Sequence, residues 1–203
     1  MQYSALMALR NAVMAALLEG EASGYDLAKG FDASVANFWM AAPQQLYREL
    51  ERMESEGLVS ARIVEQERRP NKRLFSLTEA GMEAVRAYVA EPPGKPTTIR
   101  DELLVKVQCT DVGNAEAVRA AITERMGWAE AKLARYERLK ERLLKGRTED
   151  EYCAQAERIG PYLTLLRGMA FEKENIQWGE TALRVLEQRA TATRDGKRAA
   201  SRT

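Results

Sequence analysis

Histidine is absent from the 203-residue chain, and neither sign of charge dominates, with 31 Lys and Arg against 30 Asp and Glu. The lack of histidine removes the commonest general base, the Ser-His and Cys-His nucleophile pairs, and most zinc sites. The sequence also contains no paired carboxylates that stand out, no glycine-rich phosphate loop and no dinucleotide fingerprint. We therefore predict a protein that is not an enzyme and that uses no metal or cofactor.

Cysteine and long apolar runs are also scarce. The two cysteines, Cys109 and Cys153, lie far apart and outside any paired motif, which fits free thiols in a reducing cytoplasm. Neither has an obvious cluster of activating charges, so we expect buried thiols rather than a redox switch. No apolar run approaches the roughly 18 residues of a membrane span. Because Arg10 interrupts an N-terminal stretch without a basic leader, we expect no signal peptide.

The first 90 residues alternate between helical and extended patterns. Apolar residues recur at helical spacing over 4–18, and Ser23 is placed to cap a second helix. PQQLYRELERMESEGL then predicts a third helix that begins with Pro43 and ends at Gly57. LVSARIV and RLFSLT alternate apolar and polar residues, which predicts a hairpin with a Pro-Asn turn. Thr78 is placed to cap a short fourth helix.

The third helix has one apolar and one polar side. Because each residue advances about 100°, Leu46, Leu50 and Met53 fall together, and we assign them to the core. Long polar side chains occupy the N-terminal outer side and its shoulders: Gln44, Gln45, Tyr47 and Arg48. Gln can pair with adenine and Arg with guanine in the major groove. Taken alone, however, such a side is more often simply solvated.

The hairpin is the basic part of an otherwise acidic head. Residues 1–90 hold 10 Lys and Arg against 12 Asp and Glu, a balance of −2, so the head as a whole is not basic. The hairpin sets five basic residues against Glu65 and Glu67, a local balance of +3; the five are Arg62, Arg68, Arg69, Lys72 and Arg73. A basic hairpin beside a polar helix predicts a winged helix-turn-helix that grips DNA with both parts.

The second half is predicted to be helical. EPPGKPT, residues 91–97, cannot continue a helix. After it come helical patterns near 99–108 and 114–145, then a last stretch that Gly160-Pro161 should kink or restart. The fold class is therefore mainly α with a small β hairpin. The predicted domains are 1–90, a winged helix-turn-helix; 91–97, a linker; 98–190, a long-helix dimerisation domain; and 191–203, a disordered basic tail.

Apolar stripes on the long helices predict a second copy of the chain as partner. A two-fold dimer buries them and sets two recognition helices about one DNA turn apart. The predicted dimerisation residues are Leu163, Leu166, Met169, Ile176, Trp178, Leu183 and Leu186. The alternative, a bundle closed within one monomer, is disfavoured because little else remains to cover Trp178, Leu183 and Leu186.

Several motifs resemble the PadR family of bacterial transcriptional regulators. These are GYDLAKGF, FWMAAPQQLYRELERMESEGLV and RRPNKRLFSLTEAG, and LLRGMAFEKENIQWGETALRVLEQ is similar to the terminal dimerisation helix of members with a virulence-activator C-terminal region. The resemblance implies a winged-helix homodimer on a palindromic operator in double-stranded DNA, usually a repressor. Together with the hairpin charges, it predicts nine DNA-binding residues: Gln44, Gln45, Tyr47, Arg48, Arg68, Arg69, Asn71, Lys72 and Arg73.

The sequence departs from the family pattern at two places. Relatives tend to have Ser-His where this chain has Ala42-Pro43, so an operator sequence cannot be borrowed from them. They tend to have Tyr where Phe75 stands, which we expect to be a substitution in the core.

Family resemblance also permits a small aromatic effector. Trp39, Trp128 and Trp178 could line a pocket between the head and the dimer helices, although such side chains are more often core. An alternative function is a helical protein–protein interaction module whose head does not function in DNA binding. The acidic balance of the head favours this alternative.

Overall fold

The computed structural model describes residues 2–30, 42–65, 71–92, 94 and 100–200 of the chain. It divides the chain into two compact units, Met1–Lys95 and Pro96–Thr203. The described elements of the first unit are α1 (Gln2–Leu17), β1 (Ala22–Ser23), α2 (Gly24–Gly30), α3 (Pro43–Ser55), β2 (Val59–Val64), β3 (Lys72–Leu77) and α4 (Glu79–Ala90). Together with the helical second unit, they confirm a mainly α fold with a small antiparallel sheet.

The apolar side of α3 lies in the core of the first unit. Leu46, Leu50 and Met53 are at most 1% exposed, as the sequence predicts. They pack against apolar residues of α1, including Val13 and Leu17. Burying each such side chain contributes about 1.5–3 kcal/mol. The core therefore fixes one side of α3 and leaves the opposite side exposed.

A tight backbone motif ends α3. The Leu58 N–H donates to the Met53 carbonyl at 2.9 Å, and the Gly57 N–H donates to the Glu54 carbonyl at 3.0 Å. This pair of bonds requires a residue with positive φ, and Gly57 supplies it with φ 73°. The prediction that Gly57 ends the helix is confirmed.

The sheet contains a third strand that the sequence did not predict. Its order is β1-β3-β2, with Ala22 opposite Phe75, and the hairpin pairs run from Val59–Leu77 to Val64–Lys72. Because β1 has two residues, it is too short to show an alternating pattern. The hairpin itself is confirmed. Its tip, residues 66–70 with Arg68 and Arg69, lies outside the described residues.

Helix α4 begins close to the end of α3. The Thr78 hydroxyl accepts the Gly81 N–H at 3.1 Å, which confirms Thr78 as the cap, and contacts the Gly57 carbonyl at 2.6 Å. A Cβ at Gly81 would lie 2.1 Å from the Leu58 carbonyl oxygen. The absence of a side chain at Gly81 therefore lets α4 pack directly on the backbone that leads into β2.

The second unit is helical throughout its described elements, which are α5 (Glu102–Gln108), α6 (Ala115–Leu144), α7 (Glu149–Gln155) and α8 (Gly160–Ala200). The break after α7 confirms the predicted restart at Gly160-Pro161. Helix α8 differs from prediction at its other end, because its backbone stays helical through 191–200, where a disordered tail is expected. That segment contains one glycine and no proline, so nothing in it stops a helix. Residues 201–203 lie outside the described residues.

Helices α6 and α8 pack antiparallel, because residues late in α6 contact residues early in α8. Gly179 lies against Met126, Lys132 contacts Glu172, and Tyr136 packs with Met169. A Cβ at Gly179 would lie 2.4 Å from the Met126 Cγ, so the Met126 side chain packs directly on the backbone of α8 there. No helix among the described residues is long and apolar enough to span a bilayer.

Both cysteines are exposed. The expectation of buried thiols is therefore wrong for Cys109 and for Cys153. Cys109 is the C-cap of α5, and Cys153 lies on the outer side of α7. Both cysteines are exposed because few positions of such short helices face a core.

Candidate nucleic-acid interface

The N-terminal outer side of α3 is open. Pro43 occupies the first turn, and Gln44, Tyr47 and Arg48 are exposed. Gln44 and Arg48 make no hydrogen bond or ion pair with any residue that the structure describes. Because they are four residues apart, their side chains lie on the same helical face. Two of the predicted base-reading groups are therefore available to a ligand.

Gln45 is different, because it caps the helix it belongs to. Its Oε1 accepts the Ala42 N–H at 3.3 Å. Ala42 has no side-chain oxygen to return the bond, so only half of a capping box is present. This bond uses one of the two acceptor sites of the Gln45 amide oxygen and ties the side chain to the start of the helix. Relatives tend to have Ser at this position, and a serine hydroxyl could cap the helix. Because Ala42 has no hydroxyl, α3 starts without a side-chain cap.

Tyr47 lies at the edge between α3 and α2. Its ring packs on Gly24, where a Cβ would lie 2.3 Å from the ring's Cε1, and its side chain is 43% exposed. The start of α2 therefore packs against one part of the ring and leaves the rest of the side chain exposed. Such a placement suits a phosphate contact from Tyr47.

A groove of about 680 Å³ joins α3 to the base of the hairpin. Its walls come from the start of α2, from α3 and from β3; they are Ser23, Gly24, Tyr25, Asp26, Tyr47, Glu51, Asn71, Lys72, Arg73 and Phe75. Phe75 is 4% exposed, which confirms it as a core residue, and the Arg73 guanidinium lies 5.1 Å from its ring centre. The groove brings together Tyr47, Asn71, Lys72 and Arg73 of the predicted DNA-binding set.

The basic side chains at the hairpin base are paired with carboxylates from other elements. The Lys72 ammonium lies 2.7 Å from Asp26 Oδ2, the Arg62 Nε donates to Glu21 Oε2 at 2.7 Å, and Arg73 pairs with Glu54. Lys72 and the Ser23 hydroxyl lower the pKa of Asp26, and Arg62 lowers that of Glu21. The predicted local balance of +3 counted charges within the hairpin alone and therefore missed these partners.

An ion pair between α1 and α3 was also missed by the sequence reasoning. Arg10 Nε donates to Glu49 at 3.0 Å, and another of its nitrogens lies 2.7 Å from Glu56. Glu49 is 3% exposed, although it lies on α3 beside the apolar side. The sequence did contain a signal for this ion pair, because Arg10 is a charged residue within the apolar stretch of α1. The pair fixes the position of α3 on α1.

Most predicted dimerisation residues are covered within their own chain. Half-buried Trp178, Leu183 and Leu186 pack against a cluster of Leu103, Val118 and Ile122. Met169 packs with Tyr136 and Leu165. The argument that little else remains to cover the first three is therefore wrong, because α5 and α6 cover them. Leu166 and Ile176 are half-buried, and Leu163 is 55% exposed.

Two family models match the chain, one in each unit. The model described as Transcriptional regulator PadR-like family matches residues 13–87, and Virulence activator alpha C-term matches residues 99–187. A probable transcriptional regulator of Mycobacterium tuberculosis is 29% identical over 192 residues, covering 90% of this chain and 100% of that protein.

Two further relatives have known structures. The negative transcriptional regulator PadR of Bacillus subtilis is 24% identical over 180 residues, covering 89% of this chain and 98% of that protein. Its crystal structure with operator DNA has a TM-score of 0.72 at 25% identity, covering 88% and 99% of the two chains, and it has also been crystallised with p-coumaric acid. The Vibrio cholerae virulence activator AphA is 28% identical with a TM-score of 0.62, covering 89% and 98%.

Proposed function

The chain belongs to the PadR-like family of transcriptional regulators, and on that premise we propose that it is a repressor that binds a palindromic operator as a homodimer. The observation that carries the proposal is the open N-terminal side of α3, where Gln44 and Arg48 are exposed and Tyr47 lines a groove with the hairpin base. In a winged helix-turn-helix, this is the part of the recognition helix that enters the major groove. Arg48 would pair with guanine and Gln44 with adenine.

The groove between α3 and the hairpin supports the placement of the DNA backbone. Tyr47, Asn71 and Lys72 line it, and all three side chains can donate hydrogen bonds to phosphate oxygens. Arg68 and Arg69, whose positions lie outside the described residues, are proposed to extend this contact from the hairpin tip.

The exposed side of α8 supports the homodimer. Leu163, Phe171 and Val185 are 55%, 42% and 54% exposed and fall within an arc of about 80° on the helix. Leu165, Met169 and Gly179, which pack against α6, lie on the opposite side of α8, whereas Trp178 lies within the arc and packs against the cluster of Leu103, Val118 and Ile122. A second copy that covers this strip would bury apolar surface that one chain leaves in water. Of the residues predicted for dimerisation, Leu163 belongs to the strip.

Phe171→Glu tests the dimer, because it places a charge in the middle of the strip without touching the α6 contact. We expect sedimentation to show a shift from dimer to monomer while circular dichroism stays unchanged. Glu187→Lys, an exposed change on the same helix outside the strip, serves as the control. A Phe171→Glu protein that remains dimeric would remove the strip from the interface.

Repression and an aromatic effector complete the proposal. The Bacillus subtilis relative is named a negative regulator and has been crystallised with p-coumaric acid. We propose that a small aromatic acid releases this chain from DNA in the cytoplasm. Trp128 is 62% exposed and Trp178 is half-buried, so their fluorescence can report binding; Trp39 lies outside the described residues. Absence of a fluorescence or thermal-shift response to any compound that derepresses the target gene would exclude the effector.

A gel shift with the DNA upstream of this chain's own gene tests operator binding. We expect a specific band, and Arg48→Ala should cost about 1–3 kcal/mol of binding free energy if it pairs with guanine. The control is Glu83→Gln on α4, which should bind as the wild type does. Binding that survives Arg48→Ala unchanged would refute its role. A dimer without preference for this DNA would favour the helical interaction module instead.

A further inference from the structure

We propose that the carboxylates Glu21, Asp26 and Glu54 compete with DNA phosphates for the cations of the hairpin base and so suppress sequence-independent binding. This inference rests on the proposed function. Each basic residue that the structure describes in β2 and β3 is held by one of these acids, and the three acids come from three separate places: the segment before β1, helix α2 and helix α3.

The pairs contribute little to the stability of the fold. Lys72 and Asp26 are 38% and 46% exposed, and Arg62 and Glu21 are 58% and 42% exposed. Ion pairs this accessible to water typically contribute little to stability, because solvent screens them and both side chains lose freedom. A phosphate can therefore replace the carboxylate at small cost to the folded state. The pairs are better placed to regulate binding than to support the head.

Asp26 is the most firmly positioned of the three competitors. The Ser23 hydroxyl donates to its Oδ2 at 2.8 Å, and the Lys72 ammonium lies 2.7 Å from the same oxygen. Ser23 is 5% exposed, so the group that orients the carboxylate is itself fixed. Because its pKa is lowered by Lys72 and Ser23, Asp26 remains ionised at neutral pH. The competitor is therefore a charged group in the wall of the groove, which Glu51 also lines.

The consequence for binding follows from counterion release. A free lysine that neutralises one phosphate adds about 0.9 to the steepness of the log–log salt dependence. Lys72, already neutralised by Asp26, adds less than that on DNA of arbitrary sequence. On the operator, base contacts from Gln44 and Arg48 hold the backbone close enough to displace the carboxylate. The acids therefore lower affinity for wrong sequences more than for the right one.

The experiment compares wild type, Asp26→Asn, Lys72→Gln and the double variant, all as full-length chains. Fluorescence anisotropy measures their affinity for the upstream DNA and for a scrambled duplex between about 50 and 200 mM salt. Asn keeps the size of Asp and removes its charge. Glu83→Gln removes the same charge from an exposed, ion-paired position on α4 and is the matched control.

We expect Asp26→Asn to bind the scrambled duplex more tightly and to lower the ratio of specific to scrambled affinity. Its salt dependence should steepen by up to about 0.9, so its advantage over wild type grows by up to about 3.5-fold as salt falls from about 200 to about 50 mM. In the Lys72→Gln background the substitution should have no effect. Equal changes in Asp26→Asn and Glu83→Gln, an unchanged slope, or weaker binding by Asp26→Asn would overturn the inference. If the wild type does not prefer its upstream DNA, the proposed operator recognition is wrong. The salt slopes on the scrambled duplex still test whether Asp26 competes with phosphate for Lys72.

Discussion

In the first unit, eleven buried apolar side chains from α1, α2, α3, β2 and β3 form one cluster, whereas six of the nine described in the second unit fall into two clusters of three. The first cluster joins elements from several directions around a single centre. The other two lie along an antiparallel pair of helices, one of which, α8, is about 60 Å long. A centred core holds a recognition helix rigidly by itself, while a helix pair leaves sides that a second chain can cover.

The two units also bury a carboxylate differently. Glu49 on α3 is 3% exposed and is paired with Arg10, which is itself only 14% exposed at its side chain. Glu172 on α8 is 4% exposed and is paired with Lys132, whose side chain is 44% exposed. The first pair is enclosed in a network, and the second remains open to water on its basic side. The enclosed pair should therefore be the harder one to break.

The largest expected effects come from removing core volume. Leu50→Ala should lower the free energy of unfolding by about 3–5 kcal/mol, because the cluster to which it belongs joins five elements that cannot all move in to fill the cavity. Leu165→Ala should cost about 2–3 kcal/mol, because two helices can close on the gap more easily. Urea unfolding followed by circular dichroism measures both, with exposed Val89→Ala as the control. A larger loss in Leu165→Ala would reverse the comparison.

The buried ion pairs should give the next largest effects. Arg10→Met leaves Glu49 without its closest cation, at a cost of about 2–3 kcal/mol, since Arg52 stays 3.9 Å away. Lys132→Met should cost about 1 kcal/mol, because water can reach Glu172 from the side that the lysine leaves. Replacing each carboxylate as well, in Arg10→Met/Glu49→Leu and Lys132→Met/Glu172→Leu, should recover most of the loss. Double variants as unstable as the single ones would show that packing, not charge, is responsible.

The sequence predicted the elements that follow from periodicity and local chemistry, including the apolar side of α3, its end at Gly57 and the caps at Ser23 and Thr78. It failed where the deciding contact joins distant residues. The pairing of Arg10 with Glu49 crosses 39 positions, and that of Arg62 with Glu21 crosses 41, so no local pattern contains either. The same reason applies to the argument that little else covers Trp178, Leu183 and Leu186: the apolar stripe was visible, but not that α5 and α6 partly cover it, and the dimerisation residues themselves stay a prediction.

Replacing a closely packed glycine in each unit with alanine should give a smaller difference in stability between the units. A Cβ at Gly81 meets the Leu58 backbone carbonyl, which cannot move without disturbing β2, so Gly81→Ala should cost about 1–3 kcal/mol. A Cβ at Gly179 meets the Met126 side chain, which is flexible. There the loss should be under about 1 kcal/mol, because alanine's better helix propensity offsets part of it. Thermal unfolding of both variants tests this difference. If Gly179→Ala lowers stability more than Gly81→Ala does, the Met126 side chain and α8 cannot adjust to the added methyl group.

Acidification should have the smallest effect on stability, and it compares an ion pair of the first unit with one of the second. Arg10 lowers the pKa of Glu56 below its ordinary 4.5, and Arg125 lowers that of Asp101 below 3.8. Carboxylates with a lowered pKa stabilise the folded state above their ordinary pKa, and this contribution is lost as pH falls through the lowered value. Urea midpoints should therefore decrease between about pH 5 and pH 3, and Glu56→Gln and Asp101→Asn should each flatten the decrease. Asn at 101 can still accept the Leu103 N–H that Asp101 accepts at 2.9 Å, so its effect reports the ion pair rather than the cap. An acid dependence identical to wild type in both variants would mean that neither pair contributes to stability.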